Sequence, residues 1–362
     1  MTESAHDHQV LQDRLWSAVT GHDEFRAVDT ALAALEAGMN AETVLLDLVA
    51  PLQAKVGAEW AANRLSVAQE HAASAITERV IAALAHHPAT RTRTRATLGR
   101  VTVACVDQEW HVLPARLLAE VLTLRGWHVD FLGAQVPTPH LVGHLHHSGA
   151  DVVALSSSIP TRLPVAHAAI TACQAIGVPV LVGGAAFGPD GRYARLLGAN
   201  AWAPDARTAA RQLADGIPAP APAAAHQQID DLPHLSDQEY TMVVRTQGQL
   251  VKEVLTQLED AFPAMAAYSP HQRERTAEDI AHIVEFLAVA LYTDDDDLFS
   301  TFITWTAGIL AARNVPAQSL HPALNILATE LKDFPRSTRL LDTARLALDA
   351  PAPAGPHPGV TV

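Results

Sequence analysis

Cysteine is scarce in this chain: 362 residues contain only Cys105 and Cys173, each inside an apolar segment with no second cysteine nearby. That excludes a disulfide framework and a cysteine-based zinc site, and the two read as buried thiols in a reducing compartment. Basic residues are also few, with 25 Lys and Arg against 39 Asp and Glu and a formal net charge of −14. So acidic a chain is poorly suited to wrapping nucleic acid or adhering to an anionic membrane. No apolar run is long enough to cross a bilayer. The opening "MTESAHDHQV" lacks the basic end and apolar stretch of a signal peptide, so a cytoplasmic protein is expected. A phosphate-cradling Gly-Lys-Ser/Thr loop and a Gly-x-Ser-x-Gly elbow are both missing, which leaves kinase and hydrolase chemistry without support.

What is present falls into blocks. Within residues 1–88, apolar positions recur at helical spacing, as in "AVDTALAALEAG" and "AETVLLDLVAPLQAKVG", predicting a four-helix bundle. Gly38 and Gly57 fall where helices are expected to end, and Ser66 where one should begin. A polar, basic connection, "HHPATRTRTRATLGR", leads into residues 98–217. There "VTVACV", "HVDFLG", "DVVALS", "VPVLVGG" and "AWAP" alternate with helix-length segments, the pattern of a five-stranded parallel α/β sheet. Ligands of such sheets bind beyond the carboxyl ends of the strands. Residues 218–234 form a Pro/Ala-rich linker, residues 235–350 are all helical, and residues 351–362 form a Pro-rich tail expected to be disordered.

Four places could carry chemistry. In "EWAANRLSVAQEH", the capping-box pair Ser66 and Gln69 starts a helix. Trp60 then ends one helix while Glu70 and His71 open the next, a corner that either packs or lines a pocket. In "VDQEWHVLP", Glu109 and His111 sit two apart on the loop after the first strand, before a helix begun by Pro114. A loop histidine beside a carboxylate suits either a metal ligand or a solvated side chain. "LSSSIP" places Ser156 to Ser158 after the third strand, and Gly183-Gly184 follow the fourth, where missing side chains could admit a bulky group. His140, His144 and His147 share a helix face with no acidic or cysteine partner evident in sequence, which favours a solvated face over zinc. "DDDD" (Asp294 to Asp297) suits a solvated helix start better than a calcium loop.

Together these residues resemble a cobalamin-binding module, a four-helix cap followed by a Rossmann-like domain. That family's signature is an acidic residue, any residue, His, two residues and Gly, followed by Ser-x-Leu and Gly-Gly. Here it stands as Glu109-Trp110-His111-Val112-Leu113-Pro114, Ser156-Ser157-Ser158 and Gly183-Gly184, with Pro114 in place of Gly and Ser158 in place of Leu. The resemblance implies that His111 is the lower axial ligand of cobalt, supported by Glu109. It also implies that Ser156, Ser158, Gly183 and Gly184 belong to the slot for the displaced benzimidazole tail.

The Trp, nine residues, Glu-His arrangement resembles that of adenosylcobalamin-dependent photoreceptors typified by CarH. The likeness implies that Trp60, Glu70 and His71 enclose the upper, adenosyl-bearing face, and that light cleaves the cobalt–carbon bond and rearranges the cap. Two departures stand out: no DNA-binding helix-turn-helix precedes the cap, and Ala61 follows Trp60 where those regulators carry a histidine. The whole arrangement resembles photocobilins, in which such a module is fused to a globin-like domain that binds a bilin. That likeness implies noncovalently held biliverdin, since no cysteine lies beyond Cys173, with His282, Trp305, Arg313 and His321 as candidate contacts. A dimerising helical bundle is the alternative for this domain. The expected protein is a non-enzymatic light sensor and homo-oligomer signalling to a downstream partner, without direct nucleic-acid or membrane binding. The competing expectations are a corrinoid carrier of a methyltransferase system and a haem or fatty-acid sensor.

Overall fold

The computed structural model describes residues 2–90, 98–220, 232–261 and 263–350. Most of the predicted linker, part of the basic connection before the sheet, and the whole predicted tail lie outside the described residues. The described chain falls into two compact units, one before and one after residues 221–231.

The first unit opens with helical rods. Helix α1 (Thr2–Thr20) is followed by α2 (Glu24–Glu36), whose start is capped by Asp23 accepting from the Arg26 N–H at 3.0 Å. The third rod runs through α3 (Ala41–Thr43), a π-helical segment (Val44–Val49) and α4 (Ala50–Ala61). The fourth is α5 (Val67–His86), opened by the predicted capping box of Ser66 and Gln69. Leu15, Val19, Val44, Val49, Val56, Ile81 and Leu84 close the core between the rods. Gly38, at φ +96°, does end α2. Gly57 does not end a helix: it is buried inside α4, which continues to Ala61. A buried glycine inside a helix costs about 1 kcal/mol relative to alanine, which α4 tolerates.

The same unit continues into a sheet of β1 (Arg100–Cys105), β2 (His128–Gly133), β3 (Val152–Ser156), β4 (Val180–Gly183) and β5 (Ala201–Ala203), all five at the predicted positions. The order is β2-β1-β3-β4-β5 and every pairing is parallel. Between the strands run α6 (Leu113–Leu124), α7 (Thr138–Ser148), α8 (Leu163–Ala175) and α9 (Arg192–Leu196), and α10 (Ala206–Asp215) follows β5. Pro114 lies in the first turn of α6. One sheet face is sealed against α6 and α10 by Val101, Val103, Ala119, Leu122, Leu181 and Leu213. The strand order reverses between β1 and β3, so the loops leaving those strands part there and leave a crevice.

Cap and sheet are joined within this unit. Leu113 and Leu117 of α6 belong to the cap's core. Arg125 grips Glu42 at 3.0 and 2.8 Å, and Arg207 grips Asp47 at 2.8 and 2.7 Å. Asp47 lies in the π-helical segment, and its carbonyl accepts from the Gln12 amide at 3.0 Å.

The second unit contains α11 (Glu239–Ala261), α12 (Pro270–Thr293), α13 (Asp296–Ala312), α14 (Leu320–Glu330) and α15 (Pro335–Asp349). Leu287, Leu291, Phe299, Ile303, Leu324 and Leu341 are fully buried in it. Buried Glu239 accepts from the Arg336 and Ser337 N–H groups at 2.9 and 2.7 Å, capping α15 from the start of α11. The "DDDD" run starts a helix: Asp295 caps α13. Likeness to a globin rests on helical content alone. No helix among the described residues is long and apolar enough to cross a membrane.

Candidate functional site

Glu109 is the organising residue of the β1–α6 loop. Its side chain is 1% exposed, yet both of its oxygens are met by donors. One oxygen accepts from the His111 N–H at 2.9 Å and stands 2.6 Å from His111 Nδ1. The other accepts from the Ser158 N–H at 2.6 Å, the Ile159 N–H at 3.2 Å and the Ser157 hydroxyl at 3.2 Å. Burial opposes ionisation, but the hydrogen bonds from His111 and Ser158 outweigh it and hold the carboxyl down at about 2. A carboxylate at Nδ1 fixes the ring as a donor on that side and leaves the Nε2 lone pair for a metal or proton. Glu109 thus ties together the loops of β1 and β3, the two that part at the crevice. Cys105 lies beneath them, its thiol pushed up to about 12 by burial and by the Glu109 charge, so it is an inert packing group.

Beside this loop, under the ends of β3, β4 and β5, lies a cavity of about 120 Å³ bounded by α6 and α10. Ser156, Gly183 and Gly184 line it, as does Pro114. The glycines have separate reasons. A Cβ at Gly183 would stand 3.3 Å from the Ala203 carbonyl oxygen, a tight but tolerable contact. At Gly184, φ is +99° and a Cβ would stand 2.2 Å from the Ser157 carbonyl oxygen. Gly184 therefore answers first to the close passage of the β3 loop, and only second to cavity width. Ser158 contributes its backbone N–H to Glu109, a bond that serine and leucine can make equally. Ser157, the middle of the three serines and not among the residues assigned to the slot, has its hydroxyl, carbonyl and N–H all engaged.

At the cap corner, Trp60 is half-buried against the cap core. Glu70 and His71 pair at 2.7 Å, with the His71 side chain 76% exposed. Ser74 donates to Glu70 at 2.7 Å and Gln53 donates to Ser74 at 2.7 Å, so Glu70 is braced from α4 across to α5. Ala61 closes α4.

The residues proposed for a second ligand have separate partners. His282 is held by Glu285 at 3.4 Å, which raises its pKa. Arg313 donates to the Ile309 carbonyl at 3.1 Å. Trp305 lies 6.3 Å from Phe302, which stacks on Phe286, while His321 pairs with Asp349 at 3.0 Å. His282 and Arg313 share one neighbourhood, since both act on the Asp279 carboxyl. One expectation needs correcting: His144 does have an acidic partner, Asp130 of β2 at 3.3 Å, which also faces His128 and Arg100. Among the described residues no group of three or more His, Cys, Asp and Glu side chains is placed to hold a metal ion.

Residues 99–214 match the B12 binding domain family, and residues 11–85 match a second B12 binding domain family. The chain is 32% identical over 186 residues to the HTH-type transcriptional repressor CarA of Myxococcus xanthus, covering 48% of this chain and 58% of that one. It is 32% identical over 197 residues to the repressor CarH of the same organism, covering 51% and 61%. The chain thus spans less than two thirds of the length of either relative. The fold of the monomethylamine corrinoid protein of Methanosarcina barkeri is similar, at a TM-score of 0.50 and 19% identity, over 56% of this chain and 96% of that one. The two matched segments coincide with the helical cap and the five-stranded domain, so residues 11–85 and 99–214 are the two halves of one cobalamin-binding module.

Proposed function

We propose that this module is a light sensor for adenosylcobalamin, in which His111 Nε2 would ligate the cobalt and the Trp60, Glu70 and His71 corner would enclose the adenosyl group. The observation that carries the reading is the Glu109–His111 pair, where a buried, ionised carboxylate fixes the Nδ1 side of the ring. The residues fit the cofactor in two further respects. The Ser156, Gly183 and Gly184 cavity offers a place for the nucleotide tail, and the cap corner carries an aromatic face beside a braced carboxylate. Bound adenosylcobalamin supplies a cobalt–carbon bond that green light cleaves. The protein's part is to orient: Glu109 holds the His111 tautomer, Trp60 packs the upper face, and Glu70, fixed by Ser74, is free to accept from a sugar hydroxyl on one oxygen's remaining lone pair. Ala61 carries no atom that could ligate a metal, so any protein ligand replacing the adenosyl group would have to be another histidine. The output is a cap rearrangement read as a change in self-assembly, most simply of a dimer, or by a downstream partner, with no catalytic turnover.

A corrinoid carrier of a methyltransferase system is the competing function, and the corrinoid-protein fold accommodates it equally. The Trp60 to Glu70-His71 corner favours the sensor. For the helical unit the proposal is noncovalent biliverdin near His282 and Arg313, supported by their shared neighbourhood and by the Phe302–Trp305 pair. Purified protein loaded with adenosylcobalamin in the dark should change its visible spectrum and its elution volume after green light. Stable binding with light-induced spectral change but no change in size or partner binding favours the carrier, and no binding of any corrinoid ends both readings. A red or far-red band on adding biliverdin supports the second chromophore, and its absence returns that unit to a helical assembly role.

A further inference from the structure

We infer that the cavity under β3, β4 and β5 selects corrinoids by the polarity of their tail base, accepting a benzimidazole and disfavouring a purine. This rests on the cobalamin reading above and adds a ligand class to it. Of the fifteen lining residues, only Ser156 and Asp205 bring a polar side chain. Asp205 is exposed at the mouth, and its oxygens already accept from the Thr208 N–H at 2.7 Å and the Thr208 hydroxyl at 3.2 Å. The interior walls are small and apolar: Ala115 and Leu118 from α6, Ala206 and Ala209 from α10, Leu181 and Ala203 from the sheet. Two of the nearby carbonyls are also committed. The Ser156 carbonyl accepts from Val106 and the Gly183 carbonyl from Ser157, each at 3.1 Å. One hydroxyl, on Ser156 at 6% exposure, is left as the cavity's interior polar side chain.

The volume of about 120 Å³ approaches that of a dry apolar cavity of about 150 Å³ that takes up benzene, so this partly open cavity can enclose one ring of a flat base and leave the rest toward its mouth. A dimethylbenzimidazole tail has two ring nitrogens. One is bonded to its sugar, so a single acceptor remains, which the Ser156 hydroxyl can meet. A purine adds two further ring nitrogens and an exocyclic amino or oxo group. Each would lose water on entry and find an alkyl wall, and buried polar groups without partners are costly. Apolar pockets reject an added polar group by only about a hundredfold, so the expected preference is roughly tenfold to hundredfold.

The test uses the full chain in the dark, titrated with adenosylcobalamin, its adenine-tailed analogue and adenosylcobinamide, which has no base, with affinity read from the corrin absorption. The cobalamin should bind about tenfold to hundredfold more tightly than the adenine-tailed analogue, which should approach the cobinamide. Ala209→Ser, placing a hydroxyl on the wall, should narrow the preference several-fold, and Ala209→Leu, filling the slot, should bring cobalamin down to the cobinamide level. Thermal unfolding of both variants checks that they fold. Equal affinity for the two tailed corrinoids in the wild-type chain, or cobinamide binding as tightly as cobalamin, overturns the inference and leaves the cobalamin reading standing. No binding of any of the three overturns both.

Discussion

Glu109 shows how one side chain can hold a site in readiness. Its two oxygens are matched to donors on both sides, so even an isosteric change leaves a mismatch. In Glu109→Gln the amide NH2 must face either His111 or the Ser158 and Ile159 N–H groups, where donors already point, at an expected cost of about 2 kcal/mol. Thermal unfolding should report that loss, and the visible spectrum should show weakened histidine ligation of added cobalamin. His111→Ala should keep the fold, because the ring is a quarter exposed at 26%. It should still lose cobalamin affinity by about tenfold or more, as changes to metal ligands and to the groups that orient them do. Unchanged affinity would show that another group binds the cobalt. Gly184→Ala separates packing from binding. Its Cβ would stand 2.2 Å from a backbone oxygen at a positive φ. The variant should be less stable by about 2–5 kcal/mol, since neither the strained φ nor the fixed neighbour can yield cheaply. A stable Gly184→Ala protein would refute the close passage of the β3 loop.

Between elements, the cap is fixed to the sheet domain by charge as well as by Leu113 and Leu117. Glu42 is held below its ordinary value of 4.5 chiefly by the Arg125 hydrogen bond, and Asp47 below its ordinary 3.8 chiefly by Arg207. Because both folded pKa values are depressed, these carboxylates contribute stability fully above their unfolded values and lose it as the pH falls through the folded ones. Arg207→Ala should therefore cost about 1 kcal/mol at pH 7, modest because the pair is partly exposed and screened. The difference from wild type should shrink below about pH 4. Unfolding curves at pH 7 and pH 3 check this, and a gap that persists in acid would assign the cost to packing. None of this clamp is legible in the sequence, because Arg125 is 83 residues from Glu42 and Arg207 is 160 from Asp47. Local signals served well: the Ser66–Gln69 box, Pro114 and all five strands lie where pattern put them, because each depends on neighbours in the chain. Gly57 misled for the opposite reason. A glycine's tendency to stop a helix is local, whereas its burial in α4 is decided by the rods packed around it. The π-helical segment likewise has no residue signature. It is supported by Gln12, 35 residues away, and it presents Asp47 to Arg207.

At the scale of the whole molecule, two units with separate cores imply separable functions. The Glu109–His111 pair, the cavity and the Trp60 corner all lie in the first unit, whose core residues come entirely from residues 15–213. The second unit closes its own core and pins its helices through Glu239 and Arg336, which reaches Asp237 at 3.1 Å and Asp294 at 3.2 Å. A chain ending at residue 220 should therefore fold, and should bind adenosylcobalamin within about threefold of the full chain, a difference under about 0.7 kcal/mol. Dark titrations of the two proteins provide the measurement. A loss beyond about tenfold would mean that the helical unit contributes to the corrinoid site, and the assignment of every site residue to the first unit would fail. Comparing elution before and after green light then locates the response. If the shortened chain still changes size, the rearranging element is the cap itself, as the Trp60 corner suggests. Trp60→Ala in that shortened chain should then keep the cofactor but weaken the change, because removing the indole takes away packing at the corner without touching Glu109 or His111.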